Sequence, residues 1–285
     1  MDWDNMRRSD NVEEQRGHSA FGGRGAPLGL GLGGVVMVVI LSALFGVNPL
    51  YLLGMLQEGG SSPPHVAAPP PTDDRQAAFV RAILGDTEDV WGNLFQRTGK
   101  RYDAPKLVLF TGAVQSACGL ASAAVGPFYC PRDAEIYLDL SFFQELSQRF
   151  GAPGDFARAY VIAHEVGHHL QNLPGTMDKV QAQRARADEA ARNALSVRQE
   201  LQADCLAGVW GHYTAQRGLI DQADVQAALH AAAQIGDDRL QRRTQGTVVP
   251  EAFTHGSAEQ RVRWFRTGLQ SGDPNQCNTF AVAQL

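Results

Sequence analysis

The sequence predicts an α+β domain with a small antiparallel sheet and several helices, preceded by one transmembrane helix. Three short β-type runs follow the first predicted helix: KLVLFTG at residues 106–112, GPFYC at 126–130 and EIYLDL at 135–140. The PRDA between the last two is typical of a hairpin turn. The remainder reads as helix, so strands and helices do not alternate as they do in a doubly wound fold.

In the predicted helices, apolar residues recur at spacings of mainly three and four. The first helix covers about 75–98, either unbroken or as two pieces around Gly85. Later helices are predicted at SFFQELSQRF, at DFARAYVIAHEVGHHLQNL, from about 176 to 217, at QADVQAALHAAAQIGDDRLQRR and from about 257 to 269. Ser257 and Gln260 have the spacing of a capping box, which marks the start of the last helix.

The composition indicates a folded chain with a substantial core. Of its 285 residues 44% are hydrophobic, which argues against a disordered protein. The net charge of -5 is mild, and the chain contains no basic block. We therefore exclude nucleic acid as a partner. The sequence leaves the oligomeric state open.

An uncharged segment follows the N-terminal leader. No Asp, Glu, Lys, Arg or His occurs from Gly25 to Gln57, which is more than the roughly 20 residues that span a bilayer. We predict a transmembrane anchor at 26–56 rather than a cleaved signal peptide, because the run is long and starts late. It is preceded by a leader (1–25) and followed by a Pro/Gly/Ser-rich linker (57–74) and the folded domain (75–285).

The charges that flank this segment predict its orientation. Four arginines precede it: Arg7, Arg8, Arg16 and Arg24. The first Lys or Arg after it is Arg75. The positive-inside rule therefore predicts a cytoplasmic N-terminus and a periplasmic or otherwise extracytoplasmic domain at the bacterial inner membrane.

The four cysteines form no CxxC pair of the zinc-ribbon or thioredoxin kind. An even number in an extracytoplasmic domain favours disulfides over buried free thiols. Three pairings are possible. We predict Cys118 with Cys130, because the segment between them can close a local loop, and hence Cys205 with Cys277.

One predicted helix carries three histidines and a glutamate in YVIAHEVGHHLQ, residues 160–171. At 100° per residue, Ile162, Val166, Leu170 and Leu173 form an apolar stripe, and the H-E-x-x-H residues lie on the other side. These residues are His164, Glu165 and His168. Two imidazoles four residues apart can bind one Zn²⁺, and the glutamate can take a proton from a water on that metal. His169 points elsewhere and is not predicted to be a ligand.

A catalytic zinc site requires a third protein ligand. The long metzincin motif is excluded, because Gln171 and Pro174 stand where it requires Gly and His. In RQELQADC, Glu200 can complete the zinc site, and Asp204 can accept a hydrogen bond from the far nitrogen of a zinc-binding histidine. This spacing resembles the E-x-x-x-D arrangement of thermolysin-like gluzincins. The alternative is an exposed acidic helix face.

Small residues predict that the two helices approach closely. Ala163 and Gly167 lie on the histidine helix, and Ala203, Ala207 and Gly208 lie on the glutamate helix. With little side-chain bulk between the helix axes, short carboxylate side chains can reach the metal.

Hydrolysis of an amide also requires a donor for the oxyanion that develops on the carbonyl. His255 in FTHGSAEQ is the predicted donor, and Tyr213 on the glutamate helix is a weaker candidate. For His255 the alternative is an ordinary turn residue beside glycine. The GPFYC strand is predicted to align a peptide substrate by backbone pairing.

With these residues identified, the chain resembles a bacterial family of membrane-anchored neutral zinc metallopeptidases. The shared segments are W-x-x-x-x-R-S-D-N-V-E (Trp3 to Glu13), CG, GPFYCP, EIYLDLSFF, AYVIAHEVGHHLQ, RQELQADC and HGSAEQRVRWF. The resemblance implies a zincin-like fold and peptide-bond hydrolysis. It also implies His164, His168 and Glu200 as zinc ligands and Glu165 as the base.

We therefore expect a membrane-tethered, zinc-dependent endopeptidase that acts on protein or peptide substrates. One alternative is a zinc-stabilised, non-catalytic binding or chaperone-like module. The other is a zinc amidase that acts on cell-wall peptides. The intact Glu165 favours an enzyme, because a structural zinc site does not need a base.

Overall fold

The computed structural model describes residues 1–17 and 74–285. The predicted anchor at 26–56 lies outside these residues, as does nearly all of the predicted linker. Within the two described ranges, no helix combines the length and the hydropathy that a membrane crossing requires. The described part has the predicted α+β architecture.

In the described ranges, six strands form two sheets. In chain order they are β1 (Val12–Glu14), β2 (Lys106–Phe110), β3 (Ala113–Ser116), β4 (Gly119–Ser122), β5 (Phe128–Cys130) and β6 (Glu135–Asp139). The main sheet has the order β1-β2-β6-β5, and β3 and β4 form a separate hairpin. Strand β2 is parallel to both of its neighbours, whereas β5 and β6 are antiparallel.

The prediction of an antiparallel sheet is therefore wrong for the β2–β6 pair and confirmed for the β5–β6 pair, and β1 was not predicted. The β3–β4 hairpin, which the sequence analysis missed, occupies the chain between β2 and β5. After this hairpin, β6 enters the sheet in the same direction as β2, and Leu107 lies opposite Ile136. The predicted turn between β5 and β6 is confirmed, with Ala134 at φ 58°.

Both faces of β2 are buried, as its continuous apolar sequence KLVLF suggests. Leu107 and Leu109 pack into the main core. Val108 and Phe110 point to the other face, into a smaller cluster that includes Tyr137.

The N-terminal leader belongs to the same compact unit as the domain. Met1–Arg16 and the described chain from residue 74 onward form one unit. Strand β1 extends the sheet. Trp3 is buried, makes an edge-to-face contact with Phe79 at 5.4 Å between ring centroids, and donates from Nε1 to Asp155 at 3.1 Å.

Eight helices lie in the described part. They are α1 (Arg75–Arg97), α2 (Ser141–Gln148), α3 (Asp155–Asn172), α4 (Thr176–Arg184), α5 (Glu189–Gln216), α6 (Gln222–Gln234), α7 (Asp237–Gln245) and α8 (Ala258–Ser271). The capping box of Ser257 and Gln260 at the start of α8 is confirmed.

The structure divides two of the predicted helices. The stretch 176–217 contains α4 and α5, and Asp188 caps α5 by accepting a hydrogen bond from the Ala191 amide. The stretch 222–243 contains α6 and part of α7, separated at Gly236. A Cβ at Gly236 would lie 2.4 Å from the backbone nitrogen of Ala258, so only glycine permits this approach.

Close helix packing positions α3, α5 and α8. A Cβ at Gly167 would lie 2.9 Å from the Cα and the carbonyl oxygen of Ala203, so α3 and α5 approach closely at this point. Gly208 instead faces α8, where a Cβ would lie 2.1 Å from the carbonyl oxygen of Phe265. The prediction that Gly208 serves the approach of α3 is therefore wrong.

Candidate metal centre

Helix α3 presents the H-E-x-x-H side chains in its buried middle part. Its apolar stripe contains Ile162, Val166 and Leu170, but Leu173 at the C-cap is 39% exposed, so the stripe ends earlier than predicted. His164, Glu165 and His168 are all buried, with 7–8% of their surface exposed. A short run of one helix thus brings two imidazoles and a carboxylate into the interior.

The structure brings His164, His168 and Glu200 together. The nearest imidazole nitrogens and carboxylate oxygens all lie within 4.8 Å of one another. His164 Nε2 lies 3.1 Å from one Glu200 oxygen, and His168 Nε2 lies 3.4 Å from the other. Two imidazole nitrogens and a carboxylate oxygen form a donor set suited to a catalytic Zn²⁺, which has three protein ligands.

The outer hydrogen bonds of the two imidazoles also fit a metal site. His164 Nδ1 donates to Asp204 at 2.9 Å, and His168 Nδ1 donates to the side-chain oxygen of Gln171 at 2.9 Å. The Gln171 amide group donates to the carbonyl oxygen of Gln199, which fixes its oxygen as the acceptor. Both Nδ1 atoms therefore carry a proton, and Nε2 is the nitrogen of each ring that faces the shared position, which is the arrangement that a metal site requires.

Asp204 belongs to a buried network that the sequence analysis did not identify in full. Arg261 on α8 donates to both Asp204 oxygens at 2.9 Å, in the bidentate geometry of a strong ion pair. Tyr160 donates to Asp204 at 2.5 Å and accepts from Arg261. The sequence signal for this network was an arginine on the buried face of the last helix, inside the HGSAEQRVRWF segment.

The electrostatics of the cluster favour a positive charge at its centre. Burial lowers the pKa of the His164 imidazole, but the carboxylates of Asp204 and Glu200 raise it more, to about 10. Burial raises the pKa of Asp204, whereas Arg261 and His164 lower it more, to about 2. The carboxylates of Glu200 and Asp204 would balance the charge of a divalent cation held by the two imidazoles.

Glu165 is a buried carboxyl group next to the cluster. Burial raises the pKa of this group above its usual range, while the nearby His168 and His164 oppose the rise. A carboxylate with a raised pKa is a better proton acceptor than an exposed one.

The structure places His169 outside the cluster. Its Nδ1 lies 3.2 Å from the Tyr129 hydroxyl, and its Nε2 donates to the carbonyl oxygen of Asp103 at 2.7 Å. These contacts attach α3 to strand β5 and to the segment before β2.

His255 lies in the loop before α8. Its side chain is half exposed, with Nδ1 3.3 Å from Asp237. Asp237 also accepts from the backbone amides of His255 and Gly256, so one carboxylate orients both the loop and the imidazole. A Cβ at Gly256 would lie 3.2 Å from Leu201, which places this loop beside the helix of Glu200.

Tyr213 is not placed to serve the same centre. It follows Glu200 by more than three turns of α5, a distance of about 20 Å along the helix axis. Its hydroxyl donates to the carbonyl oxygen of Gly272 at 3.2 Å. We therefore discard it as the oxyanion donor.

Both predicted disulfides are present. Cys118 is bonded to Cys130 on β5, and Cys205 is bonded to Cys277. The second bridge lies next to Asp204 in sequence and attaches the C-terminal segment to α5.

Comparison with known proteins agrees with this geometry. The family described as "Putative neutral zinc metallopeptidase" matches residues 1–280. "Uncharacterized protein YpfJ" of Escherichia coli (strain K12) is 47% identical over 286 residues, covering 98% of this chain and 99% of the relative. "Uncharacterized protein Rv2575" of Mycobacterium tuberculosis (strain ATCC 25618 / H37Rv) is 48% identical over 197 residues, or 65% of each chain. No solved structure matches. The chain belongs to the neutral zinc metallopeptidase family.

Proposed function

We propose that the protein is a zinc-dependent endopeptidase that hydrolyses peptide bonds in proteins or peptides outside the cytoplasm. The observation that carries this proposal is the buried cluster of His164, His168 and Glu200 with Glu165 beside it. Both histidines have an acceptor on Nδ1, which leaves Nε2 available for the metal. Two disulfides support an oxidising compartment.

Each side chain has a distinct role in this mechanism. His164, His168 and Glu200 would hold a zinc ion, which would supply Lewis-acid chemistry at this position. Glu165 accepts the proton of the attacking water and delivers it to the leaving amine. Asp204 and Gln171 hold the imidazoles in the orientation that binding requires. His255, oriented by Asp237, donates a hydrogen bond to the oxyanion.

Strand β5 is the proposed site for aligning a substrate. It forms one edge of the main sheet, and it pairs with β6 on its other side. Asn172, the last residue of α3, donates to Tyr129 on β5 and to the carbonyl oxygen of Pro131. An extended peptide that pairs with this edge would run beside the histidine helix.

We also propose that the apolar segment at 26–56 attaches the enzyme to the bacterial inner membrane. Its uncharged run supports this attachment.

The proposal is tested by measuring zinc content and hydrolysis of unfolded protein substrates on the full-length enzyme. We expect about one zinc per chain and an activity that a chelator removes and zinc restores. Glu165→Gln should keep the zinc and the thermal midpoint but lower kcat by at least about 10²-fold. Glu145→Gln, an exposed glutamate on α2, is the matched control and should behave as the wild type.

The two alternatives give different results. A zinc-bound wild type that cleaves no protein substrate and no muropeptide would contradict the enzyme assignment and leave the binding module. Zinc-dependent release of peptides from muropeptides, without cleavage of unfolded proteins, would replace the endopeptidase with a cell-wall amidase.

A further inference from the structure

The leader and the domain are held together by contacts that require a shared compartment. Strand β1 is hydrogen-bonded to β2 in a parallel pair, with Val12 opposite Leu107 and Glu14 opposite Leu109. The backbone contacts continue beyond the strand at both ends, because Leu107 donates to Asn11 and Gln15 donates to Leu109. A bilayer between the leader and the domain would prevent every one of these bonds.

The contact between the leader and α1 is equally close. A Cβ at Gly85 would lie 2.5 Å from the carbonyl oxygen of Arg7 and 3.1 Å from the backbone nitrogen of Ser9. The Ser9 amide donates to the carbonyl oxygen of Arg81 at 2.9 Å. Gly85, which the sequence suggested as a helix break, instead provides the space in which the leader backbone lies on α1.

Three of the four arginines that predicted a cytoplasmic N-terminus have structural partners in the domain or in the leader itself, and the fourth, Arg24, lies outside the described residues. Arg7 pairs with Glu88 at 2.6 Å and donates to Asp89 at 3.0 Å. Arg8 donates to the carbonyl oxygens of Trp3 and Met6. Arg16 pairs with Glu14 and with Asp74, the residue that caps α1. Folding therefore accounts for these charges without reference to membrane orientation.

From these contacts we infer that the leader Met1–Arg16 and the domain Asp74–Leu285 occupy the same side of the membrane. A single crossing between them, which the sequence analysis predicted, would separate β1 from β2. The chain between Arg16 and Asp74 therefore crosses the bilayer an even number of times or not at all. The two disulfides place the shared side outside the cytoplasm. This inference is independent of the proposed peptidase activity.

Thiol labelling on the full-length protein in Escherichia coli spheroplasts tests the inference. All four native cysteines are bonded in disulfides, so introduced cysteines are the reactive thiols. Asp10→Cys reports on the leader and Gln144→Cys reports on the domain, because both side chains are exposed. Glu13→Cys, exposed on β1, is a second leader position. Each variant is treated with a membrane-impermeant maleimide before and after permeabilisation, beside a cytoplasmic thiol protein as the integrity control.

We expect the leader and domain positions to be labelled to the same extent in intact spheroplasts. Labelling of Gln144→Cys alone, with both leader positions protected until permeabilisation, would overturn the inference. Protection of all three positions until permeabilisation would support the shared side but contradict its extracytoplasmic assignment. Thermal midpoints equal to that of the wild type establish that the variants are folded.

Discussion

At the scale of single residues, Asp204 links the metal site to the last helix. One oxygen accepts from His164 and Tyr160, and Arg261 donates to both oxygens. Asp204 and Arg261 are almost completely buried, at 0% and 3% exposed. The imidazole that points at the metal position is thus oriented by a salt bridge from a helix that carries no metal ligand.

Replacing Arg261 tests this dependence. Arg261→Met leaves Asp204 buried without its cationic partner, and we expect the free energy of unfolding to fall by about 3–5 kcal/mol. Chemical denaturation measures the loss. Arg266→Met, an exposed arginine on the same helix, is the control and should cost less than about 0.5 kcal/mol. A destabilisation that is equal in both variants would contradict the proposed role of the ion pair.

Gln171 should affect zinc affinity without being a ligand. Gln171→Met removes the acceptor for His168 Nδ1. The loss of such a partner lowers metal affinity by about 10–100-fold. Competition with a chromophoric chelator measures the affinity, and Gln144→Met on the surface is the matched control. An unchanged affinity would show that the imidazole needs no such acceptor.

The acid sensitivity of the metal-free protein should depend on Asp204. Its pKa is lowered to about 2 in the folded protein against 3.8 ordinarily, so the unfolded chain binds its proton more readily. The Asp204 carboxylate therefore makes its full contribution to the free energy of unfolding above about pH 4, and this contribution is lost as the pH falls toward 2. Unfolding curves across that window should show the loss. Asp204→Asn should remove this part of the pH dependence, and an identical dependence in the variant would contradict the assignment.

At the scale of elements, the position of α3 against α5 sets the distance between the histidines and Glu200. Gly167 lies against the backbone of Ala203, so any side chain there forces the helices apart. Gly92 on α1 has open space around its Cα, with nothing within 4 Å of an added Cβ.

These two glycines make a matched pair of variants. Alanine has the higher helix propensity, so Gly92→Ala should stabilise the protein by up to about 1 kcal/mol. Gly167→Ala should instead destabilise it and weaken zinc binding, because the clash is with backbone atoms. Thermal unfolding and zinc titration of both variants provide the comparison. Stabilisation of equal size in both would show that the helices do not need this close approach.

Elements that are determined by a short stretch of sequence were predicted correctly, and elements that depend on distant parts of the chain were not. The periodicity of apolar residues identified α1 and α3, and the capping box located the start of α8. The direction of β6 depends on how the chain returns after β2, and β1 comes from a leader that is distant in sequence. Neither feature has a local signature, so the direction of the β2–β6 pair was predicted wrongly and β1 was missed.

The candidate site was predictable to a similar extent. The i, i+4 spacings on two helices identified His164, His168, Glu200 and Asp204. Arg261 and Gln171 were missed, because their roles depend on the crossing of α5 with α8 and α3. The residue type alone does not distinguish a buried arginine from an exposed one.

At the scale of the whole molecule, contacts between residues far apart in sequence attach the N-terminal leader and the C-terminal segment to the rest of the domain. The Cys205–Cys277 bridge closes a loop with a sequence separation of 72 residues. Cys277→Ser should lower the free energy of unfolding by on the order of 4 kcal/mol in the chain-entropy description. Denaturation with and without reductant measures this effect. A wild type whose stability does not change on full reduction would contradict it.

Removing Trp3 tests the contribution of the leader. Its indole is buried against Phe79, so Trp3→Ala should destabilise the full-length protein by about 3–5 kcal/mol. Asn5→Ala, an exposed leader residue, is the control. A thermal midpoint that does not change in Trp3→Ala would show that the leader does not pack on the domain.

X-ray absorption at the zinc edge, recorded on the full-length protein with its metal content, tests the central claim most directly. We predict stoichiometric zinc with two imidazole ligands and further nitrogen or oxygen ligands at about 2.0–2.2 Å. Glu200→Gln should lower the zinc content, while His169→Gln should leave the zinc spectrum unchanged. Sulfur scattering near 2.3 Å, or a wild type without stoichiometric zinc, would contradict the account.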